Sequence, residues 1–239
     1  MKKHKLAKVR FRPYVINTNE KSNWLRAAAL GSNDGIISIA GLVIGVAGAT
    51  QSKTAILTAG IAGIIAGAIS LGAGEYVSVS TQRDMEQALL AREKVDLKNH
   101  PKEEFDDLVS AYEQDGLEPK IAKIVAAELT KVNAFATHAD VDLHIDPNNL
   151  TNPWSSVFAS STSFAIGALI PLVVIMLSVD KYTIPVTFIS VVIALTITGI
   201  ISAKVSGANI LKSTIRVVTG GALAMIITYA IGSLFNVVV

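Results

Sequence analysis

The chain has 239 residues, of which 51% are hydrophobic, and a net charge of only +2. Its mean hydropathy of +0.48 is too high for an ordinary soluble domain. The absence of cysteine excludes disulfides, thiolate metal sites and iron–sulfur ligation. No nucleic-acid partner is expected.

The first 23 residues are polar and carry six basic residues before Pro13. They contain no apolar core followed by a small-residue cleavage site, so a secretory signal is not predicted. We therefore predict that residues 1–23 form a basic cytoplasmic N-terminal segment.

Five apolar blocks are long enough to cross a bilayer, which takes about 20 residues of helix. They fall into two groups, residues 24–80 with two spans and residues 153–239 with three. The predicted fold is an all-α membrane protein with five transmembrane helices and a three-helix cytoplasmic insertion, residues 81–152, between helices 2 and 3. The predicted spans are 25–49, 54–80, 154–179, 183–203 and 217–239.

Small residues in the first two spans follow the spacing Gly41-x-x-x-Gly45 and Gly63-x-x-x-Gly67. This spacing allows helices to approach closely. Glycine pairs are common in apolar helices, so the pattern predicts ordinary close packing and no specific function.

Basic residues alternate between the links that join the spans. Nineteen lie in the N-terminal segment and first span, in residues 81–152, or after the fourth span, whereas the other links hold only Lys53 and Lys181. The positive-inside rule then places the N-terminus and the insertion in the cytoplasm and the C-terminus outside. We expect a bacterial cytoplasmic membrane, because the chain lacks a long N-terminal extension.

The insertion is predicted to form helices over 81–99, 102–114 and 118–141, separated by His100-Pro101 and Asp115-Gly116. It carries fifteen acidic and eight basic residues and three of the four histidines. A module that binds a membrane surface would be basic. This composition instead favours an attraction for cations.

Four pairs of insertion residues have a spacing that places them on one helix face: Glu86 and Glu93 are seven apart, and Glu103 and Asp107, His138 and Asp142, and Asp140 and His144 are each four apart. Residues three or four apart are neighbours on a helix surface, and residues seven apart lie on the same face. Carboxylates suit hard cations, and an added imidazole favours first-row transition metals. Each residue taken singly is better explained as part of an ordinary solvated acidic face, whereas for the set as a whole metal binding is an equal alternative. The predicted metal ligands are Glu86, Glu93, Glu103, Asp107, His138 and Asp142.

Two carboxylates, Asp34 and Glu75, lie inside the first two apolar blocks. A charge at the centre of a membrane helix costs about 2.5–3.5 kcal/mol on insertion scales, and such residues usually face a bundle interior or a water-filled path. We predict that both line an ion path. The alternatives are that Asp34 caps a helix beginning near Ile36, and that Glu75 is an interfacial residue.

The sequence blocks around these carboxylates resemble the vacuolar iron transporter (VIT) family. The resemblance rests on Asn33-Asp34-Gly35 in the first span and Gly74-Glu75-Tyr76-Val77-Ser78-Val79-Ser80 at the end of the second. Asn152-Pro153-Trp154 and Gly167-Ala168-Leu169-Ile170-Pro171-Leu172 add to it, and it covers residue 22 to the end.

The resemblance implies a five-span homodimer with an ion path at the subunit interface and a cytoplasmic metal-binding module. It implies export of Fe²⁺, and in some members Mn²⁺, from the cytoplasm in exchange for protons. Asp34 and Glu75 match the family's path carboxylates, while Glu86 and Glu93 match its first module glutamates. Bound Zn²⁺ or Co²⁺ is also compatible, and no resident cofactor is expected.

The chain departs from the family pattern at three positions. Leu71 stands where the family often has a methionine, Gly63 where plant members have a path glutamate, and His144 where a glycine is usual. Loss of the thioether removes a soft ligand, so Mn²⁺ fits an all-oxygen path at least as well as Fe²⁺.

The sequence allows one other functional class and argues against a second. A membrane-tethered metal buffer or sensor would need only the insertion. An enzyme is not expected, because the sequence has no nucleophile motif, phosphate loop or His-Glu-x-x-His pattern.

Overall fold

The computed structural model describes residues 18–236, with side chains for residues 24–179 and 181–235. Most of the predicted N-terminal segment, residues 1–17, lies outside this range. The described residues form helices and no strand, which confirms the all-α prediction. The α-helices are α1 Thr18–Ala49, α2 Lys53–Asn99, α3 Pro101–Gln114, α4 Pro119–Val141, α5 Pro153–Leu177, α6 Thr183–Ser206 and α7 Ile210–Asn236, with a 3₁₀ turn at Asp180–Tyr182.

Five of these helices, α1, α2, α5, α6 and α7, are long and apolar enough to cross a membrane. Several boundaries differ from the sequence prediction, and α1 already begins at Thr18 rather than at 25. The last helix begins at Ile210 rather than at 217. The predicted apolar span starts after the charged Lys212 and Arg216, but both residues lie in the first two turns of the helix. The predicted insertion helix 81–99 is the continuation of α2, since neither glycine nor proline follows Gly74 before Pro101.

The chain divides into two compact units. The membrane unit contains Asn19–Ser78 and residues from 153 onward, and the insertion unit contains Val79–Asn152. Residues 83–98 of α2 carry eight charged side chains. A membrane-spanning segment excludes such a density of charge, so this part of α2 lies beyond its apolar span.

Helix α1 packs against two other helices of the membrane unit through glycine. A side chain at Gly31 or Gly35 would collide with the α5 backbone at Ser160 or Phe164. On α7, a side chain at Gly232 would collide with the backbone of Gly45. The absence of Cβ atoms therefore lets α1 touch the backbones of α5 and α7 directly.

The glycines of α2 make a different kind of contact. A side chain at Gly63 would meet the side chains of Leu42 and Ile39, and one at Gly67 would meet the ring of Phe164. These glycines make room for neighbouring side chains rather than for another backbone. The Gly63-x-x-x-Gly67 pattern therefore serves ordinary packing, as the sequence predicts.

The insertion unit packs α3 and α4 around a small apolar core with Leu108 and Ala122 fully buried. The predicted helix 118–141 is interrupted at Asn133, whose φ of −164° and ψ of 94° are extended. The Asn133 side chain accepts a hydrogen bond of 3.0 Å from the backbone N–H of Ala136. This is the geometry of an N-cap, so Asn133 starts a second helical segment within α4.

Candidate metal sites

The membrane unit contains a cavity of about 590 Å³ between α1, α2 and α5. Both predicted path carboxylates, Asp34 on α1 and Glu75 on α2, line it. The hydroxyl groups of Ser38 and Ser70 line it too, and the remaining lining residues are apolar or glycine. The polar side chains of this cavity therefore offer oxygen atoms alone.

The two carboxylates differ in their surroundings. The Ser38 hydroxyl donates a hydrogen bond of 2.9 Å to Oδ1 of Asp34. Helix α1 begins well before Asp34, so the alternative that Asp34 caps a helix starting near Ile36 is wrong. Glu75 is 9% exposed and lies within the long α2 helix.

Two departures from the family pattern fall on this cavity. Leu71 and Gly63 both line it, where the resemblance would have placed a thioether and a further carboxylate. The cavity consequently has fewer and harder ligands than the family pattern implies. Oxygen-only sites suit Mg²⁺, Ca²⁺ and Mn²⁺.

The insertion unit brings a second acidic group together from three helices. Glu93 on α2, Glu104 on α3 and His138 on α4 present ligand atoms that all lie within 4.8 Å of one another. His138 is 1% exposed, and its Nδ1 lies 3.3 Å from Glu93 Oε1 and 3.6 Å from Glu104 Oε2. The Asp142 carboxylate, one turn further along α4, lies 3.0 Å from the same nitrogen. We call these four residues the insertion cluster.

The insertion cluster has more acceptors than donors. One imidazole nitrogen carries at most one hydrogen, and Asp142 is the nearest partner for it. Glu93 Oε1 is buried without a hydrogen bond, although it lies 3.3 Å from Nδ1 of His138. Burial, followed by the charges of Glu104, Asp142 and Asp96, raises the pKa of Glu93, and His138 opposes this only in part. Three carboxylates and an imidazole at this spacing fit a divalent transition metal.

Tyr112 borders the same acidic region. Burial and the nearby charges of Asp140, Asp142 and Asp115 raise the pKa of its phenol. The phenol therefore stays neutral at physiological pH and adds no charge to the region.

Three of the predicted metal ligands lie in the insertion cluster, and three lie elsewhere. Glu93, His138 and Asp142 are members. Glu86 accepts hydrogen bonds from the Thr151 backbone N–H, at 3.2 Å, and from its hydroxyl, at 2.7 Å. It is therefore engaged with the segment that leads into α5.

Glu103 and Asp107 are exposed on the outer face of α3, and Glu103 lies 3.7 Å from His100. Sequence reasoning missed Glu104, which is a member of the insertion cluster. The sequence contains the signal, because Glu104 is four residues before the fully buried Leu108 and so shares the inner face of α3.

His144, the unusual imidazole, adopts a positive φ of 54° just after α4. Its Nδ1 lies 3.0 Å from the backbone oxygen of Asp140. This is a helix-end position that glycine normally favours. His144 is not among the residues that form the insertion cluster.

These features define a multi-pass membrane protein with acidic groups in its spanning unit and in a polar insertion. The chain matches the VIT family profile over residues 25–233, and it belongs to that family. The VIT family is a family of transporters, which confirms both the resemblance and the expectation that the protein is not an enzyme.

Similar proteins come from an amoeba and from plants. The chain is 38% identical to a vacuolar iron transporter of Acanthamoeba castellanii over 89% of this chain and 79% of that protein. It is 32% identical to vacuolar iron transporter homolog 2.1 of Arabidopsis thaliana, over 89% of this chain and 81% of that protein. It is 32% identical to vacuolar iron transporter homolog 2 of Oryza sativa subsp. japonica, over 90% of this chain and 92% of that protein.

Proposed function

We propose that this protein exports a divalent transition metal, Fe²⁺ and/or Mn²⁺, from the cytoplasm. The single observation that carries the proposal is the membrane cavity lined by Asp34 and Glu75. Two carboxylates in a spanning unit are costly unless a cation or a proton neutralises them. Membership of the VIT family and similarity to proteins named as vacuolar iron transporters support the same function.

In this proposal Asp34 and Glu75 bind the ion in transit. Their oxygens, with the hydroxyl of Ser70, replace part of the hydration shell of the ion. With Leu71 in place of a thioether, no soft ligand favours Fe²⁺, so we expect Mn²⁺ to be carried at least as well. When the ion leaves, one carboxylate takes up a proton, which makes the cycle a proton antiport.

The proposed active form is a homodimer. Small residues at four-residue spacing form an exposed stripe on α2, and two of them also line the cavity. Such stripes allow close helix contact in membranes. A second copy packed on this stripe would close the cavity and place the ion path at the subunit interface. The residues of the stripe are Ala62, Ala66, Ser70 and Gly74.

The proposed orientation follows the distribution of basic residues, with the N-terminus and insertion in the cytoplasm and the C-terminus outside. We place the protein in the cell membrane, although the similar amoebal and plant proteins carry vacuolar names. In either membrane the metal moves out of the cytoplasm. The insertion cluster would capture the metal on the cytoplasmic side before transport.

Reconstitution in proteoliposomes tests the proposal. Asp34→Ala should abolish Mn²⁺ and Fe²⁺ flux while the protein still elutes as the same oligomer. Glu128→Gln, which removes an exposed carboxylate paired with Lys131, is the matched control and should leave flux unchanged. Flux by Asp34→Ala at the wild-type rate would disprove the role of Asp34.

A metal buffer or sensor that transports nothing is the second candidate. The insertion cluster favours it, since all four of its members lie within Val79–Asn152. Removing the metal-binding capacity of the insertion with the double change Glu104→Gln and His138→Ala separates the two functions. A transporter retains flux at high metal concentration, whereas a buffer loses all metal-dependent behaviour.

A further inference from the structure

Many of the hydroxyl side chains within the spanning helices follow one pattern. Each donates its hydrogen bond to the backbone carbonyl one turn earlier in the same helix. This bond satisfies the hydroxyl donor inside the membrane and leaves no hydrogen for a second acceptor. Examples are Ser163 to Ala159 at 2.6 Å, Thr187 to Thr183 at 2.7 Å, Thr196 to Val192 at 2.7 Å and Thr228 to Ala224 at 2.9 Å.

Ser38 departs from this pattern. It is also one turn after a potential carbonyl partner, yet its hydroxyl donates to the Asp34 side chain, 2.9 Å from Oδ1. Ser38 lines the same cavity as Asp34, Ser70 and Glu75. Its hydroxyl is therefore directed to a functional group of the cavity rather than to the helix backbone.

We propose that Ser38 is a positioning residue of the ion path. The inference rests on the proposed function, because it assumes that Asp34 binds the ion. The hydroxyl holds Oδ1 and so fixes the rotation of the carboxylate, which leaves Oδ2 as the oxygen that meets the cation. Hydrogen bonds to an ionised carboxylate are stronger than neutral ones, and a low dielectric strengthens them further.

The chemistry of the hydroxyl fits this role better than a basic side chain would. Lysine or arginine at position 38 would also hold the carboxylate, but its charge would cancel the attraction for a cation. Serine donates a hydrogen bond and adds no net charge. It therefore orients Asp34 and preserves the negative charge that the ion requires.

Mn²⁺ flux by the full-length protein in proteoliposomes tests the inference, with the initial rate measured over a range of Mn²⁺ concentrations. Ser38→Ala should raise KM about tenfold, the loss expected for a hydrogen bond to a charged group, with kcat within about twofold of wild type. Ser38→Thr keeps the donor and should restore KM to within about threefold of wild type. Ser163→Ala, which removes a hydroxyl bonded to its own backbone, is the matched control and should change neither value.

The outcomes separate this inference from the proposed function. Wild-type KM for Ser38→Ala, alongside no flux for Asp34→Asn, would refute the positioning role and leave the transport proposal intact. Normal flux by Asp34→Asn would refute the transport proposal itself. Should Ser38→Ala fail to fold, the nearly isosteric Ser38→Cys replaces it; its weak donor should give an intermediate KM, and a wild-type KM would overturn the inference.

Discussion

The membrane cavity and the insertion cluster both collect carboxylates, but they do so in opposite ways. Asp34 and Glu75 line a cavity of about 590 Å³, which is also lined by hydroxyl oxygens. The cluster gathers three carboxylates and an imidazole, three of whose ligand atoms lie within 4.8 Å of one another. An ion must leave a path as readily as it enters, whereas a capture site gains from compact, mixed ligands. We therefore propose that the ion passes through the cavity and is retained at the cluster.

Glu75→Gln should have the largest effect of the changes that separate the two regions. It keeps the shape of the side chain and removes the carboxylate that, in the proposed function, binds the ion and takes up a proton after the ion leaves. We therefore expect flux to fall by roughly two orders of magnitude. Metal binding by the insertion cluster should be unchanged. Flux assays paired with calorimetric metal titration of the same protein test this, and equal losses in both would erase the distinction between path and capture site.

Glu104→Gln and Glu103→Gln form a matched pair of neighbours on α3. Glu104 is a member of the insertion cluster, and Glu103 is 79% exposed. We expect metal affinity of the insertion to fall roughly 10- to 100-fold for Glu104→Gln and to stay within about twofold for Glu103→Gln. Mn²⁺ titration of both variants measures this. The reverse order would restore Glu103 as the ligand, as the sequence predicts.

Glu93→Gln should stabilise the metal-free insertion unit at neutral pH. The folded state raises the pKa of Glu93 above its unfolded value, so folding takes up a proton there. The contribution of Glu93 to the stability of the metal-free unit is therefore fully present below its unfolded pKa and is lost as the pH rises through its folded pKa. Gln cannot ionise and should flatten this dependence while reducing metal binding.

Amide hydrogen exchange of α3 and α4 in the metal-free protein measures the Glu93 effect at acidic and neutral pH, after correction for the intrinsic exchange rate. Glu128→Gln serves as the control, because Glu128 is exposed and paired with Lys131. If Glu93→Gln has the same pH dependence of stability as wild type, another group of the cluster is responsible for that dependence.

Asn133→Ala should have the smallest effect. It removes the cap that starts the segment carrying His138 and Asp142, which costs about 1 kcal/mol. We expect roughly fivefold weaker metal binding, and Asn133→Asp, which keeps a capping oxygen, should recover most of it. Equal affinities for the Ala and Asp variants would show that the cap has no part in positioning His138.

The helices were largely predictable, because apolar blocks and Pro or Gly boundaries are local signals. The continuity of α2 through position 81 was missed, since a change from apolar to charged residues marks a change of environment and not the end of a helix. The break at Asn133 was also missed. Asparagine within a helical pattern is only a weak signal, and its capping bond depends on the backbone that follows.

The candidate sites were predictable where helix periodicity sufficed. His138 and Asp142 meet across one turn of a single helix, as predicted. Glu93, Glu104 and His138 come from three helices, and their meeting depends on which face of each helix is buried. Glu103 and Asp107 share a helix face by their spacing of four residues. The buried position of Leu108, however, determines that Glu104 is the glutamate that faces inward.

The glycine contacts of the membrane unit limit how its helices can move relative to one another. Backbone lies directly on backbone at Gly31 and Gly35, where α1 meets α5, and at Gly232, where α7 meets α1, and at these points no side chain can change rotamer to accommodate a tilt. Gly60 and Gly63 of α2 face the flexible side chains of Leu172 and Leu42 instead. We therefore expect α1, α5 and α7 to move as one rigid body during transport. Asp34 then belongs to the stationary frame and Glu75 to the helix that shifts against it.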